Sequence, residues 1–326
     1  MTQLSNPQPS PGPYLAFWEV GIASMSSSAR NRSGRSGGAS PWVPLERQGR
    51  PVSLATCHGK ERAMARPFRV ALGMNLVVAE AFDTDSLGSF SGEIPRPSDG
   101  PTTCRLKAEA GMAATGLSLG LASEGSFGPH PAIPFLPVGQ EWMTFIDRDQ
   151  GLVIGEQLLA RRTNFTHCRV GAGKDLAPWL AQVGFPSHAL IVRPNQGEAA
   201  IPVRKGLQTA PELQAALAEA RHASADGLAL VETDMRAHLN PTRMAAIRTL
   251  AFRLVRRITR ACPACGSPGF GRVELRLGLP CRWCGEATEL VAAEIFGCVR
   301  CGHRQELPRR DGLEAADPGQ CLSCNP

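Results

Sequence analysis

Four Cys-x-x-Cys pairs lie in the last 65 residues of the chain: Cys262/Cys265, Cys281/Cys284, Cys298/Cys301 and Cys321/Cys324. Thiolates at this spacing bend the backbone into a knuckle that presents both sulfurs to one metal. Eight such ligands make two tetrahedral, all-cysteine Zn²⁺ sites. With every coordination position filled, these sites read as structural rather than catalytic. The simplest pairing is sequential: Cys262/Cys265 with Cys281/Cys284, and Cys298/Cys301 with Cys321/Cys324. An interleaved pairing, first with third and second with fourth, fits the spacing as well. Disulfides and iron–sulfur clusters are the chemical alternatives to zinc.

A second set of chemical groups sits where strands are expected to end. Thr56-Cys57-His58-Gly59-Lys60-Glu61 pairs a glycine turn, able to aim backbone N–H groups at an anion, with the Thr56 hydroxyl and the Lys60 ammonium. It reads as a phosphate loop, against an ordinary turn with a solvated lysine. Asp83 and Asp85, near Glu93 and Arg96, offer oxygen ligands suited to Mg²⁺. Glu124 ends an apolar run, and a partly desolvated carboxylate there suits a metal ligand or general base. Arg236, His238 and Arg243 gather at the start of a helix, where the dipole already favours an anion. Lys107 falls in the middle of another helical segment. The candidate catalytic groups are therefore Glu124, His58, Asp83 and Asp85. The candidate phosphate ligands are Thr56, Lys60, Lys107, Arg236, His238 and Arg243.

Alternating strands and helices must position these groups. Val52 to Thr56 reads as a buried strand, followed by a helix through Leu72 that Gly73 stops, and by a second strand from Met74 to Phe82. Thr102 to Thr115 has helical spacing and Leu117 to Ala122 is a strand; Ser123 to Pro131 is dense in turn formers and reads as a loop. Glu141 to Asp147 and Gly151 to Ala160 form a hairpin. Leu176–Val183 and Pro211–Ala223 read as helices, Ala189–Arg193 and Gly227–Val231 as strands. Asn240 is placed to cap a long helix beginning at Pro241, with Ile247, Leu250, Leu254 and Ile258 as its apolar stripe. That helix runs directly into Ala261-Cys262. The fold class is α/β, with a mixed-sheet, three-layer-like core over residues 51–260 and a zinc-binding module over 261–326. Residues 1–50, rich in Ser, Gly, Pro and Arg, read as a disordered leader.

Composition narrows the class further. The chain is 43% hydrophobic and 20% charged, with net charge +6. From Pro241 onward there are 13 Arg, no Lys and 8 acids. Two four-thiolate zinc centres carry about −2 each and cancel most of that excess. A strong arginine-driven attraction to nucleic acid is thereby weakened. No segment reaches the ~18 apolar residues of a membrane span, and no signal-peptide pattern opens the chain. Clustered cysteines with three isolated ones, Cys57, Cys104 and Cys168, fit a reducing cytosol, the isolated three as buried thiols.

Two resemblances attach to these residues. The strings Ala55–Glu61, Asp83–Glu93, Ala122–Pro131, Asp234–Met244 and Cys321–Pro326 resemble an uncharacterised bacterial protein family with C-terminal zinc ribbons. The order of features also resembles the inosine-triphosphate pyrophosphatase superfamily and its Maf-like relatives. Thr56 and Lys60 stand near that superfamily's Ala-Thr-x-Asn-x-x-Lys loop, with His58 in place of the asparagine. Lys107-Ala108 keeps part of its helical motif, Glu124 replaces an acidic pair, and His238 and Arg243 approximate its Ser-His-Arg. This second resemblance implies a Mg²⁺-dependent hydrolase of a phosphorylated, nucleotide-like small molecule. The rival is a zinc-ribbon binding module for nucleic acid or a protein partner.

Overall fold

Strand β1 (Pro51–Ala55) forms from a run whose Val52 and Leu54 are fully buried, and helix α1 (Glu61–Leu72) follows after a five-residue turn. Gly73, in the left-handed region at φ 62°, ends α1, its N–H donating to the Arg69 carbonyl and that of Met74 to the Phe68 carbonyl. The computed structural model describes residues 49–80, 98–130, 133–197 and 203–326. The leader read at 1–50 lies almost wholly outside them, as do Asp83, Asp85, Glu93 and Arg96. The described residues divide into two compact units, one within Pro44–Thr259 and one beginning at Arg260.

In the first unit, β2 (Asn75–Val78), β3 (Leu119–His130), β4 (Ile133–Asp147) and β5 (Leu152–Ala160) join β1 in a mixed sheet of order β2-β1-β3-β4-β5. β1 runs parallel to both β2 and β3, whereas β3, β4 and β5 are antiparallel. Helix α2 (Gly100–Thr115) covers one face through Cys104, Ala108 and Met112 against Ala55 and Ala122. Helices α1 and α5 (Pro241–Ile258) cover the other through Phe68, Leu250 and Leu254 against Leu54, Leu121 and Phe145. The expected three layers are therefore present.

A separate four-stranded antiparallel sheet has the order β6-β9-β7-β8, from β6 (His167–Val170), β7 (Leu190–Pro194), β8 (Arg204–Leu207) and β9 (Ala229–Thr233). It packs on α3 (Ala177–Val183) and α4 (Ala210–Ala223). Thr209 and Glu212 close a capping box at the start of α4. Asn240 caps α5 by accepting the Arg243 N–H at 2.9 Å, directly before Pro241, and its four expected stripe residues are buried.

One element departs from its expectation. Ser123 to His130 is not a loop but the continuation of β3, paired to β4 as far as His130 opposite Ile133. Local turn propensity loses here to a long antiparallel partner, and the glycines serve close approach instead. A Cβ on Gly125 would lie 2.3 Å from Arg243 Nη2 and 2.7 Å from Glu141 Oε2.

The second unit is built on β10 (Gly271–Leu277), β11 (Val291–Gly297) and β12 (Arg304–Pro308), an antiparallel sheet in that order. Phe270 and Phe296 fill its small core beside Cys262 and Cys298, with the Arg260 guanidinium over both rings.

Candidate functional site

Strand β1 stops at Ala55 opposite Ala122, while β3 runs on for eight more residues. The edge of β3 from Ser123 is thus uncovered by β1, which opens a crevice at the carboxyl end of a parallel strand. Side chains alternate across the sheet, so Glu124 shares the α2 face with Ala122, and Ser123 and Gly125 share the α5 face with Leu121.

Each face carries a buried ion pair. On the α2 face Lys107 Nζ lies 2.8 Å from Glu124 Oε2. On the α5 face Arg243 Nε lies 2.7 Å from Glu141 Oε1, and Arg243 Nη1 donates to the Met235 carbonyl at 2.6 Å. Phe127 lies under the Arg243 guanidinium, 5.1 Å from centroid to Cζ. Gly125 is the point on β3 that lets Arg243 and Glu141 meet. Glu141 was not among the candidates read from the sequence. Its signal is a carboxylate inside a long strand, between Gln140 and Trp142, and the strand pairing alone shows that it faces Gly125.

Lys60 differs from both. Its Nζ donates to the Ser123 carbonyl at 2.8 Å, and no carboxylate of the described residues lies within ion-pair distance. Burial first, and then the Arg243 charge, lower its pKa to about 8. The Ser123 hydroxyl beside it is buried with no hydrogen-bond partner among the described residues. The backbone N–H groups of Gly59, Lys60 and Glu61 likewise have no acceptor there. Thr56 Oγ1 is used locally, accepting the His58 N–H at 3.2 Å.

The imidazoles of His58 and His238 stack, with centroids 5.3 Å apart and planes within 5°. Burial, followed by Lys60, His238, Arg243 and Arg236, pushes His58 down to about 4. His238 is also lowered, by burial and then by Arg236. Arg236 is clamped by Asp234, with Nη2 at 2.6 Å from Oδ2. Of the sequence candidates, the crevice brings together His58, Lys60, Lys107, Glu124, His238 and Arg243, and Arg236 contributes charge from behind. His130, at the far end of β3, is ~20 Å along the strand from Glu124. Among the isolated cysteines, Cys104 is buried and pushed up to about 12 by that burial, Cys168 is half-buried, and Cys57 is exposed on the turn after β1, not buried as expected.

The eight clustered cysteines form two groups, Cys262/Cys265/Cys298/Cys301 and Cys281/Cys284/Cys321/Cys324. The sequential pairing is therefore corrected to the interleaved one. The reason is the sheet. Gly271, at the start of β10, pairs with Gly297 at the end of β11, so the first and third knuckles share one end. β12 returns antiparallel, bringing the chain back toward the second knuckle, where Cys281 bridges Ala316. The two ends are separated by a seven-residue strand, ~23 Å, which no single metal spans.

Sulfur–sulfur separations are 3.7 and 3.8 Å in the first group and 3.6 and 3.8 Å in the second. Disulfides need ~2.05 Å. A tetrahedron with metal–sulfur bonds of ~2.3 Å has edges of ~3.8 Å, so both groups fit a metal ion such as zinc. Among the described residues no other group of three His, Cys, Asp or Glu side chains is placed to hold a metal.

The charge of this unit is also clearer. Five of the 13 arginines from Pro241 onward belong to α5. Residues 260–326 hold eight Arg and eight acids. Arg272, Arg276, Arg304, Arg309 and Arg310 each pair with a carboxylate inside the unit. With both thiolate sites filled by a dication the unit is net negative.

Among the described residues no helix is long and apolar enough to cross a membrane. A family model described as a domain of unknown function, DUF6671, matches residues 107–326, which takes in Lys107, Glu124, Glu141, His238, Arg243 and all eight clustered cysteines. No curated protein matches the chain.

Proposed function

The chain belongs to the domain-of-unknown-function family DUF6671, and we propose that its α/β unit is a metal-dependent hydrolase of a phosphorylated, nucleotide-like small molecule. The observation that carries this reading is Lys60. A buried ammonium that meets a carbonyl but no carboxylate among the described residues is costly, and an anionic ligand would supply its counter-ion. The open amides of Gly59, Lys60 and Glu61 at the α1 N-terminus supply further donors to the same anion. Thr56 shapes that loop. His58 is kept neutral by burial first and then by the positive charges of Lys60, Arg243 and Arg236, and those charges favour the same anionic ligand.

In this reading Glu124 is the carboxylate at the reacting phosphate, paired with Lys107. Mg²⁺ commonly binds through one or two carboxylates plus substrate phosphates, which would add charge neutralisation at the phosphoryl group. Glu124, with Asp83 and Asp85, would hold it. Lys60 and Arg243 offset charge that grows in the transition state, and neutral His58 accepts or returns a proton. The resemblance to the inosine-triphosphate pyrophosphatase superfamily points the same way. The two tetra-cysteine groups are assigned to structural zinc. The test is phosphate and pyrophosphate release from a nucleotide panel with Mg²⁺, comparing the full chain with Glu124→Gln. The expected outcome is turnover that falls ~10²–10⁴-fold in the variant. Turnover unchanged by Glu124→Gln overturns the assignment.

A second reading rests on the other unit. Trp283 and Leu322, 77% and 74% exposed, project from the two knuckles of one tetra-cysteine group. A rigid apolar pair of this kind suits a docking module for a protein partner. The negative charge of the filled unit counts against nucleic acid. Partner capture that survives Glu124→Gln and is lost in Trp283→Ala would favour it.

A further inference from the structure

His238 stands out in the crevice because, among the described residues, its ring is committed to nothing but a stack. It is exposed, it lies parallel to His58, and its ring nitrogens have no hydrogen-bond partner among the described residues. The backbone around it is fixed on both sides. Asp234 accepts the Arg236 N–H at 3.0 Å, Leu239 N–H donates to the Arg236 carbonyl, and Asn240 begins the capped α5. The 3-10 turn Ala237–Leu239 therefore holds the side chain out at a set angle.

The phosphate donors lie directly beside it. A Cβ on Gly59 would sit 3.5 Å from His238 Cβ, so the 56–60 turn packs against this residue. Gly59 is in the left-handed region at φ 64°, and its N–H opens the run of three amides without an acceptor among the described residues. The unpartnered, fully buried Ser123 hydroxyl lies on the same face of the sheet as α1. An anion subsite and an aromatic platform thus adjoin within one turn of chain.

We infer that His238 is a stacking platform for the aromatic base of the phosphorylated ligand, its outer face extending the His58–His238 stack while the α1 amides hold the phosphate. The inference rests on the functional reading above but assigns His238 a different task from phosphate contact. Every aromatic heterocycle has a π-face, so stacking of this kind tolerates different bases. Burial, and then the Arg236 charge, favour the neutral imidazole of His238, which is compatible with such a stack. The two free ring nitrogens of His238 are then available at the edge of the base.

The experiment compares binding of nucleoside triphosphates, ribose 5-phosphate and inorganic pyrophosphate to the full chain, in wild type, His238→Ala and His238→Phe. Wild type should prefer the nucleotide to ribose 5-phosphate. His238→Ala should weaken nucleotide binding roughly tenfold or more, as expected for loss of one base stack, and leave pyrophosphate unchanged. His238→Phe should restore nucleotide affinity. A parallel loss of pyrophosphate affinity in His238→Ala, or failure of His238→Phe to rescue, overturns the inference and returns His238 to phosphate contact. Pyrophosphate binding with no nucleotide preference overturns this inference alone. Absence of all binding by wild type overturns it together with the functional reading.

Discussion

Lys60 Nζ donates to the carbonyl oxygen of Ser123 at 2.8 Å, and among the described residues this is the sole hydrogen bond of a buried ammonium. The neighbouring Lys107 and Arg243 each face a carboxylate. Lys60→Met should therefore leave the unliganded protein as stable as wild type or more stable, since it removes an uncompensated buried charge. Thermal melting checks this. The pH dependence follows from the lowered pKa. With a folded value of about 8 against 10.5 unfolded, the unfolded state binds more protons between these values. Wild-type stability should then rise with pH from about 8 toward 10.5, and Lys60→Met should flatten that rise.

The Arg243–Glu141 pair is the strut behind the crevice. Glu141→Gln leaves a buried guanidinium without its counter-charge and should cost ~3–5 kcal/mol in denaturant unfolding. Gly125→Ala places a methyl 2.3 Å from Arg243 Nη2. That guanidinium cannot swing away cheaply, because Glu141 and the Met235 carbonyl hold it. A loss of ~1–3 kcal/mol is expected. A neutral Gly125→Ala would mean that Arg243 is not fixed there.

Much of this frame is legible in the sequence. The Asn240-Pro241 cap and the Ile247/Leu250/Leu254/Ile258 stripe form as their spacing requires, because capping and periodicity are local properties. Ser123 to His130 was not readable. Its glycines and proline favour turns, and only pairing with residues 133–143 of β4 makes it a strand. For the same reason Glu141 escaped notice. Its role depends on facing Gly125 across a ladder and Arg243 across 102 residues, neither of which spacing encodes.

The two stacked imidazoles set an acid limit. His58 at about 4 and His238 below its ordinary value both bind protons more weakly in the folded chain than in the unfolded one. Stability should hold at pH 7 and fall as pH drops from 6.5 toward 4. Melting temperatures across that window, with His58→Gln reducing the slope, measure it. An equally steep decline in the variant would place the effect elsewhere.

The knuckle pairing has a stoichiometric signature that spacing could not settle. Cys262→Ser with Cys298→Ser damages one group and should leave one metal per chain by elemental analysis. Cys262→Ser with Cys281→Ser damages both and should leave less than one. Sequential pairing predicts the reverse. Chelation should unfold the 260–326 unit, whose core is little more than Phe270 and Phe296 between cysteines.

The central claim is that the crevice holds an anionic, nucleotide-like ligand on Lys60. Calorimetric titration of nucleoside triphosphate with Mg²⁺ into the full chain, at a series of pH values from 7 to 10, tests it most directly beside Lys60→Met. Wild-type affinity should decline as pH rises past about 8, where Lys60 loses its proton, and Lys60→Met should bind weakly with no such decline. Wild-type affinity that is flat across this window, or a Lys60→Met variant that binds as tightly as wild type, would contradict it.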